Sequence, residues 1–177
     1  MPEGHGGIVG ITGSGKSRLA KEVLIPGWAR RGYGTLVLDP LEQPWPGAVW
    51  QTADPWAFLA AAKASEKCVL LIDEASTSLR GDGKLEKASA WLATQSRNRG
   101  HKAYFIGQRA LQLPPNVRGN CGHFYVFQQN TDDADAIARQ FNVPDVLRDA
   151  PALPLGVCMI AEPFKPAVKM RVFVPGH

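Results

Sequence analysis

The segment from Gly10 to Ser17 has the residue types and the spacing of a phosphate-binding loop. Its sequence, GITGSGKS, fits the pattern G-x-x-x-x-G-K-[ST], the Walker A motif, without a mismatch. Glycines let backbone N–H groups approach phosphate oxygens, and Lys16 can reach the β- and γ-phosphates of a nucleotide. The Ser17 hydroxyl can bind Mg²⁺, so ATP and Mg²⁺ are the expected ligands. The predicted nucleotide-binding residues are Gly10, Thr12, Gly13, Ser14, Gly15, Lys16, Ser17 and Arg18.

Two adjacent carboxylates, Asp73 and Glu74, follow an apolar run at residues 68–72. An acidic residue that closes a strand downstream of a phosphate-binding loop is suited to positioning Mg²⁺, so we assign Asp73 to the Walker B position. Glu74 could then orient and deprotonate the water that attacks the γ-phosphate. The alternative is a solvated turn after the strand. The pair favours hydrolysis over phosphoryl transfer to a small molecule, because a kinase must exclude water.

Three further polar residues lie near the next predicted strand. Gln108 ends that strand, where its amide could hydrogen-bond both the γ-phosphate and the attacking water, or could simply be a polar residue leaving the sheet. Arg97 and Arg99 end the helix before it, where cations stabilise a helix dipole. Alternatively, one of them is an arginine finger that reaches a neighbouring subunit's γ-phosphate, which requires an oligomer. Arg118 is a further candidate for that role.

A small cationic group, Arg80, Lys84 and Lys87, lies in and just after the glycine-containing loop that follows Glu74. Such a group could grip a phosphodiester backbone without reading bases. The alternative is an ordinary solvated charged face.

Strands that alternate with helices must position these residues. The predicted strands are 7–9, 35–38, 48–51, 68–72, 103–107, 124–127 and a terminal pair, 156–161 with 168–174. The predicted helices are 17–24, 55–63 after a cap at residues 52–54, 84–97, and a helix capped by residues 131–133 that ends near Phe141. This order predicts a three-layer α/β fold with a mostly parallel sheet and a C-terminal β-hairpin. Ligands bind such sheets at the carboxyl ends of the strands, where the loop, the carboxylates and Gln108 should meet.

Composition is that of an ordinary globular protein. The 177 residues are 45% hydrophobic and 20% charged, with a formal net charge of +4, and we predict a single domain over residues 1–177. The mild basicity permits a polyanionic partner without establishing one. No apolar run approaches the roughly 20 residues of a membrane span, so we expect no direct membrane insertion. The three separated cysteines and the lack of a signal peptide predict reduced thiols in a cytoplasm.

The order of these motifs resembles the FtsK/HerA superfamily of P-loop ATPases. The resemblance is carried by the phosphate-binding loop, LLIDEA at residues 70–75, SRNRG at 96–100, YFIGQR at 104–109, LPPNVRGN at 113–120 and FYVF at 124–127. It covers residues 7–138, and an Arg-x-x-Gly before a strand that ends in Gln-Arg is its most specific part. It implies a RecA/ASCE-like core in which Lys16 and Ser17 bind nucleotide and Mg²⁺, Asp73 and Glu74 are the metal and catalytic carboxylates, Gln108 is the sensor, and Arg97 or Arg99 acts in trans.

Members of that superfamily work as rings, and this chain carries none of the accessory domains of the cellular members. It is therefore most similar to the genome-packaging ATPases of tailless icosahedral viruses and phages. The resemblance implies ATP-driven translocation of double-stranded DNA into a preformed capsid by a hexamer or pentamer. The partners would be DNA and a capsid vertex protein, and the location would be the host cytoplasm or the virion vertex.

Three other functions remain open from the sequence. The first is a filamentous-phage assembly or conjugation-type ATPase, although such proteins usually bring a membrane segment. The second, of a different class, is a small-molecule or nucleotide kinase, which would be a monomer that is indifferent to DNA. The third is a non-enzymatic assembly protein that depends on nucleotide.

Overall fold

The computed structural model describes residues 1–79 and 83–176, and within these ranges eight strands form one sheet. They are β1 (Gly6–Val9), β2 (Gly34–Leu38), β3 (Trp50–Thr52), β4 (Cys68–Ile72), β5 (Lys102–Gly107), β6 (His123–Val126), β7 (Val157–Ala161) and β8 (Val168–Arg171). The spatial order is β3-β2-β4-β5-β1-β6-β7-β8. The strands from β3 to β6 are parallel, whereas β7 and β8 are antiparallel to their neighbours. The predicted mostly parallel sheet with a C-terminal hairpin is confirmed.

Helices lie on both faces of this sheet. They are α1 (Lys16–Leu19), α2 (Ile25–Ala29), α3 (Pro55–Ala64), α4 (Ala75–Ser78), α5 (Gly83–Thr94), α6 (Pro115–Asn120), α7 (Thr131–Phe141) and α8 (Pro144–Asp149). Because successive strand residues point to opposite sides, Leu70 and Ile72 of β4 join one apolar cluster and Val69 and Leu71 join the other. The first cluster includes side chains of α3 and α5–α8, and the second includes those of α1 and α2. The three-layer α/β prediction is therefore confirmed.

The first helix does not end where the sequence predicts. The sequence predicts a helix at residues 17–24, just before Pro26, but a π-helical segment (Ala20–Leu24) joins α1 to α2, and the helical path continues through Pro26 to Ala29. Proline removes an intrahelical donor and crowds the preceding turn, and the wider π turn is one way a helix accommodates such a change. Leu24, Ile25 and Trp28 are each at most 1% exposed. Burial of these side chains outweighs the local breaker signal.

Other boundaries differ in smaller ways. The helix predicted at residues 84–97 runs over Gly83–Thr94, and a 3-10 turn at Ser96–Arg99 follows it. The cap of α7 is Asn130, whose side chain accepts a hydrogen bond from the Asp133 N–H, so residue 131 is already helical. The capping prediction at Asp54 is confirmed, since its carboxylate accepts from the Trp56 N–H at 2.8 Å with Pro55 at the first helical position.

Three buried histidines lie at the amino-terminal edge of the sheet. The Ala103 N–H donates to His5 Nδ1 and the Cys68 N–H donates to His101 Nδ1, each at 3.0 Å. These bonds require an unprotonated Nδ1 in both rings, so both imidazoles are neutral in this arrangement. His123 packs edge-on against the rings of Tyr104 and Tyr125. Burial lowers the pKa of His5 and of His123 to about 4 and also lowers the pKa of His101.

We expect the free energy of unfolding to fall as the pH drops from 6.5 towards 4. The unfolded chain takes up protons on these histidines near pH 6.5 while the folded chain does not, so each contributes stability that is lost on acidification. A pKa lowered from 6.5 to about 4 corresponds to roughly 3 kcal/mol per histidine at pH 4. Urea unfolding at a series of pH values between 7.5 and 4.5 measures the slope of the unfolding free energy against pH.

His123→Phe is the informative variant, because it removes one titrating ring and keeps the aromatic packing. The slope of unfolding free energy against pH should become shallower than in the wild type. Leu155→Ala, an exposed side chain, serves as the control and should keep the wild-type slope. An unchanged slope in His123→Phe would show that this imidazole does not resist protonation.

Candidate nucleotide site

The predicted phosphate-binding loop lies between β1 and α1, at the carboxyl ends of the parallel strands. The Ile11 N–H donates to the Gln128 carbonyl at 3.0 Å, and the Ser14 N–H donates to the Ile11 carbonyl at 3.2 Å. The first bond fixes the loop to the segment that follows β6, and the second closes a turn within the loop. The loop therefore has a defined path around the start of α1, where backbone N–H groups favour an anion.

Two glycines of the loop have no space for a side chain. A Cβ on Gly10 would lie 2.5 Å from the Phe127 Cβ and 2.8 Å from the Ser14 Oγ. Gly15 has a φ of +115°, and a Cβ there would lie 2.6 Å from the Phe173 Cε1. Close contacts require glycine at both positions, and the left-handed backbone is a second reason at Gly15.

Lys16 points back into this loop. Its Nζ donates to the carbonyl oxygens of Gly10 at 2.7 Å and Ile11 at 3.0 Å, and the residue is 8% exposed. Burial lowers the pKa of Lys16, while the nearby Glu74 and Asp73 raise it. An ammonium group that is partly removed from water and enclosed by a glycine-containing loop is suited to binding a polyphosphate.

Asp73 follows β4 directly and is 6% exposed. The Glu74 N–H donates to one carboxylate oxygen of Asp73 at 3.0 Å. Burial raises the pKa of Asp73 to about 6, with smaller contributions from the charges of Asp39 and Glu74. A divalent cation would offset this cost of ionisation. Among the described residues no group of three or more His, Cys, Asp and Glu side chains could hold a metal. Asp73 with Ser17 therefore fits Mg²⁺ only as part of a site completed by phosphates and water.

Glu74 has an unusual backbone conformation, with a φ of +45° and a ψ of +47° immediately before α4. Its carbonyl accepts hydrogen bonds from the Thr77 and Ser78 N–H groups, both at 2.8 Å. A left-handed conformation in a residue with a side chain costs on the order of 1 kcal/mol and persists where the surrounding structure imposes it. Here it turns the chain sharply after the strand.

Gln108 lies beside Glu74, as the sequence predicts for residues at the ends of neighbouring strands. Its Nε2 is 3.5 Å from the Glu74 Oε1. The two side chains line a cavity of about 300 Å³ together with Ser76, Thr77 and Gln112. This cavity is polar and open, so water can lie beside the carboxylate and the amide, within reach of both.

Solved structures share this architecture. The genome-packaging NTPase B204 of Sulfolobus turreted icosahedral virus 2, in complex with sulfate, is 18% identical and superposes with a TM-score of 0.80 over 98% of each chain. The chain has the fold of a P-loop ATPase. The same B204 protein in complex with AMPPCP gives 20% identity and a TM-score of 0.74 over 92% of this chain and 93% of B204. VirB4 of Thermoanaerobacter pseudethanolicus gives 12% identity and a TM-score of 0.69 over 97% and 90% of the respective chains.

The resemblance expected from the motifs is thus confirmed as a likeness of P-loop ATPase folds. No protein-family model and no curated protein sequence match the chain. Across the described residues, no helix combines the length and the apolar character that crossing a bilayer requires.

Arg97 and Arg99 lie at the opposite edge of the P-loop ATPase sheet from the loop. Their 3-10 turn precedes β5, and the Arg99 carbonyl accepts a hydrogen bond from the Lys67 N–H, just before β4. Gln108 follows the far end of β5, on the order of 17 Å away at the rise of a strand. Neither arginine therefore joins Lys16 and Glu74 within one chain, so a role at a nucleotide would require a second copy. Within the chain Arg97 donates to the Asn120 carbonyl and Arg99 pairs with Glu66, each at 3.4 Å, as the surface role that the sequence also allows would have it. Arg118 instead lies near the carboxyl ends, with its guanidinium 3.4 Å from the Ala110 carbonyl.

The predicted DNA-contacting residues lie in and near α5. Lys84 and Lys87 are exposed on the first turns of that helix, while Arg80 lies outside the described residues. Two cations at a helix N-terminus oppose the helix dipole, so they do not stabilise α5.

Two residues that support the site were not identified from the sequence. The Gln129 side chain donates to the Gln108 carbonyl at 3.0 Å, which holds the backbone of Gln108 from the segment that follows β6. Asp133 is fully buried and accepts from the Arg109 guanidinium and the Leu111 N–H, both at 2.8 Å. Gln129 could have been found, because it follows a predicted strand at the same sheet edge. Asp133 could be read only as a helix-capping residue from sequence.

Proposed function

We propose that this chain is an ATP-driven motor that moves double-stranded DNA into a preformed viral capsid. The observation that carries the proposal is the meeting of Lys16, Asp73, Glu74 and Gln108 at one edge of a sheet with the P-loop ATPase fold. The similarity to B204, which is described as a genome-packaging NTPase, supports the choice of DNA packaging over other uses of ATP.

Each residue of this group has a distinct role in hydrolysis. Lys16 and the loop N–H groups hold the β- and γ-phosphates, and Lys16 offsets the charge that develops there. Glu74 accepts a proton from the attacking water while the oxygen of that water forms a bond to the γ-phosphorus. The bond between that phosphorus and the β–γ bridging oxygen breaks, so ADP and inorganic phosphate leave. Gln108 orients the water and registers whether the γ-phosphate is present.

Ser17 and Asp73 would hold Mg²⁺ against the bound phosphates. The ion supplies charge neutralisation and fixes the phosphate geometry. Asp73 is suited to this role because burial makes its uncompensated ionisation costly. The remaining ligands would be phosphate oxygens and water.

DNA and neighbouring subunits complete the proposed machine. Lys84 and Lys87, with Arg80, would contact the DNA backbone, and a ring of five or six copies would bring Arg97 or Arg99 of one copy to the nucleotide of the next. A capsid vertex protein would anchor the ring, either in the host cytoplasm or on the virion. A conjugation-type motor is the second candidate, because the pCW3 conjugation coupling protein TcpA also matches, at 16% identity and a TM-score of 0.68. The likeness to B204, with a TM-score of 0.80, is greater than the likeness to TcpA, which supports packaging as the first candidate.

ATP hydrolysis with and without duplex DNA, together with native mass, tests the proposal. We expect a ring whose hydrolysis rate rises severalfold with duplex DNA, and whose DNA binding weakens steeply as salt increases. A monomer that ignores DNA and transfers phosphate to a metabolite would indicate a kinase instead. Nucleotide binding without turnover would indicate an assembly protein.

The lysines of α5 allow a matched test of the DNA contact. Lys84→Gln with Lys87→Gln should weaken DNA binding and reduce its salt dependence by about two counterions, since each phosphate contact releases roughly one. Lys67→Gln with Lys165→Gln removes the same charge from exposed positions outside α5 and should bind DNA like the wild type. Equal effects of the two pairs would reject a specific contact at α5.

Mixed subunits test the arginine finger. Arg97→Ala or Arg99→Ala subunits keep an intact loop, whereas Lys16→Ala subunits keep both arginines. If one arginine acts across an interface, mixing the matching pair should restore part of the ATP hydrolysis that each variant lacks alone. Arg139→Ala, an exposed arginine of α7 paired with Asp135, is the control and should hydrolyse ATP normally by itself. The absence of rescue with both arginine variants would remove them from the mechanism.

A further inference from the structure

The segment after β8 is connected to the phosphate-binding loop through Gly156, which precedes β7. The Gly156 N–H donates to the Ser14 carbonyl at 3.1 Å, and the Gly156 carbonyl accepts from the Val172 N–H at 2.7 Å and the Phe173 N–H at 3.3 Å. A Cβ on Gly156 would lie 2.3 Å from the Phe173 carbonyl oxygen, so the two backbones are in close contact. The C-terminal hairpin thereby forms a wall beside the loop.

The side chain that this wall presents is Phe173. Its ring lies against Gly15 and within 4.7 Å, centroid to Cζ, of the Arg18 guanidinium. Glu22 holds that guanidinium in turn, accepting from the Arg18 Nε at 2.7 Å. Phe173, Arg18 and the loop residues Gly13, Gly15, Lys16 and Ser17 line a cavity of about 250 Å³. An aromatic ring and a planar cation thus stand next to the loop that would hold the phosphates.

We infer that the nucleobase of the bound nucleotide packs against the Phe173–Arg18 pair. The inference rests on the proposed nucleotide site and adds the residues that contact the base of the nucleotide. Lys16, Ser17 and the loop bind phosphates, but they give a base no apolar surface. A ring half-buried beside Gly15, with a guanidinium stacked on it, provides that surface. Any of the nucleobases can stack on aromatic rings and on guanidinium planes.

Stacking also predicts which nucleotides are preferred. The contact area grows with the size of the base, so purine nucleotides should bind more tightly than pyrimidine nucleotides. Discrimination between ATP and GTP should be small, because stacking does not distinguish the hydrogen-bonding groups on the base edge. Part of the purine preference should disappear when the ring of Phe173 is removed.

The test compares ATP with inorganic tripolyphosphate, which has phosphates but no base, as titrants in calorimetry. Phe173→Ala should weaken ATP binding by roughly tenfold, the range found when stacked aromatic rings are removed. Its tripolyphosphate affinity should stay within about twofold of the wild type on the same reasoning. Phe173→Trp keeps a stacking surface and should retain ATP binding. Val174→Ala, one residue further on, is the matched control and should bind both ligands normally.

Two results would overturn the inference. Equal loss of ATP and tripolyphosphate affinity in Phe173→Ala would mean that the ring only supports the loop. Unchanged ATP affinity would mean that the base lies elsewhere. A wild-type protein that binds neither ligand would instead refute the proposed nucleotide site, and this inference with it. Tripolyphosphate thus separates failure of the base contact from failure of the phosphate site.

Discussion

Lys16→Ala is expected to weaken ATP binding by at least 100-fold and to abolish ATP hydrolysis. The ammonium group is held inside the loop by the Gly10 and Ile11 carbonyls. Burial lowers the pKa of Lys16, and the nearby Glu74 and Asp73 charges partly oppose that shift. A bound polyphosphate would exchange these carbonyl contacts for charged ones. Each charge-assisted hydrogen bond contributes on the order of 1.5–3 kcal/mol, so two of them account for such a loss.

Calorimetry with ATP, and phosphate release under steady-state conditions, measure the effect. Lys21→Ala is the matched control on the same helical segment, because its ammonium lies over the Trp45 ring at 4.6 Å and not in the loop. Circular dichroism should confirm that both variants are folded. Undiminished hydrolysis in folded Lys16→Ala would show that the nucleotide is not bound by this loop.

Glu74→Gln is expected to separate binding from chemistry. The amide keeps the length and the hydrogen-bonding capacity of the side chain beside Gln108, so the cavity keeps its shape. It cannot accept a proton from water, and loss of a general base lowers turnover by roughly 100- to 10,000-fold. ATP should still bind with nearly the wild-type affinity, because Glu74 does not hold the phosphates.

Single-turnover hydrolysis and ATP titration of the same preparation give the two quantities. Glu162→Gln changes a carboxylate just after β7, which pairs with the exposed Lys165 at the end of the sheet away from the loop, and should leave both quantities unchanged. Turnover near the wild-type rate in Glu74→Gln would place the base on another residue. A loss of ATP binding as large as the loss of turnover would make Glu74 a ligand-binding group instead.

The parts of the fold that the sequence predicts correctly depend on local signals. The strand β4 has five consecutive apolar residues, as a parallel strand buried on both faces requires. Asp54 followed by Pro55 marks the start of α3, because cap and proline each satisfy a local backbone requirement. The approach of Gln108 to Glu74 follows from a rule of topology, since parallel strands bring their carboxyl ends together.

The parts that fail depend on contacts between distant segments. Pro26 signals a helix end, yet the chain stays helical because Leu24, Ile25 and Trp28 are buried against the sheet. Phe173 looks like one residue of an alternating edge strand, whereas the structure turns it onto Gly15 through hydrogen bonds to Gly156. No pattern within residues 168–174 encodes a partner more than a hundred positions away.

The strand β5 connects two regions to which we assign different parts of one reaction. It is hydrogen-bonded on both sides, to β4 and to β1, with Gln108 beyond one end and the Arg97–Arg99 turn before the other. A strand clamped between two neighbours resists bending, so we expect it to shift as a rigid rod. A movement of Gln108 after phosphate release would then be transmitted along β5 to the arginines with little loss. Hydrolysis in one subunit could thereby be coordinated with the nucleotide state of another.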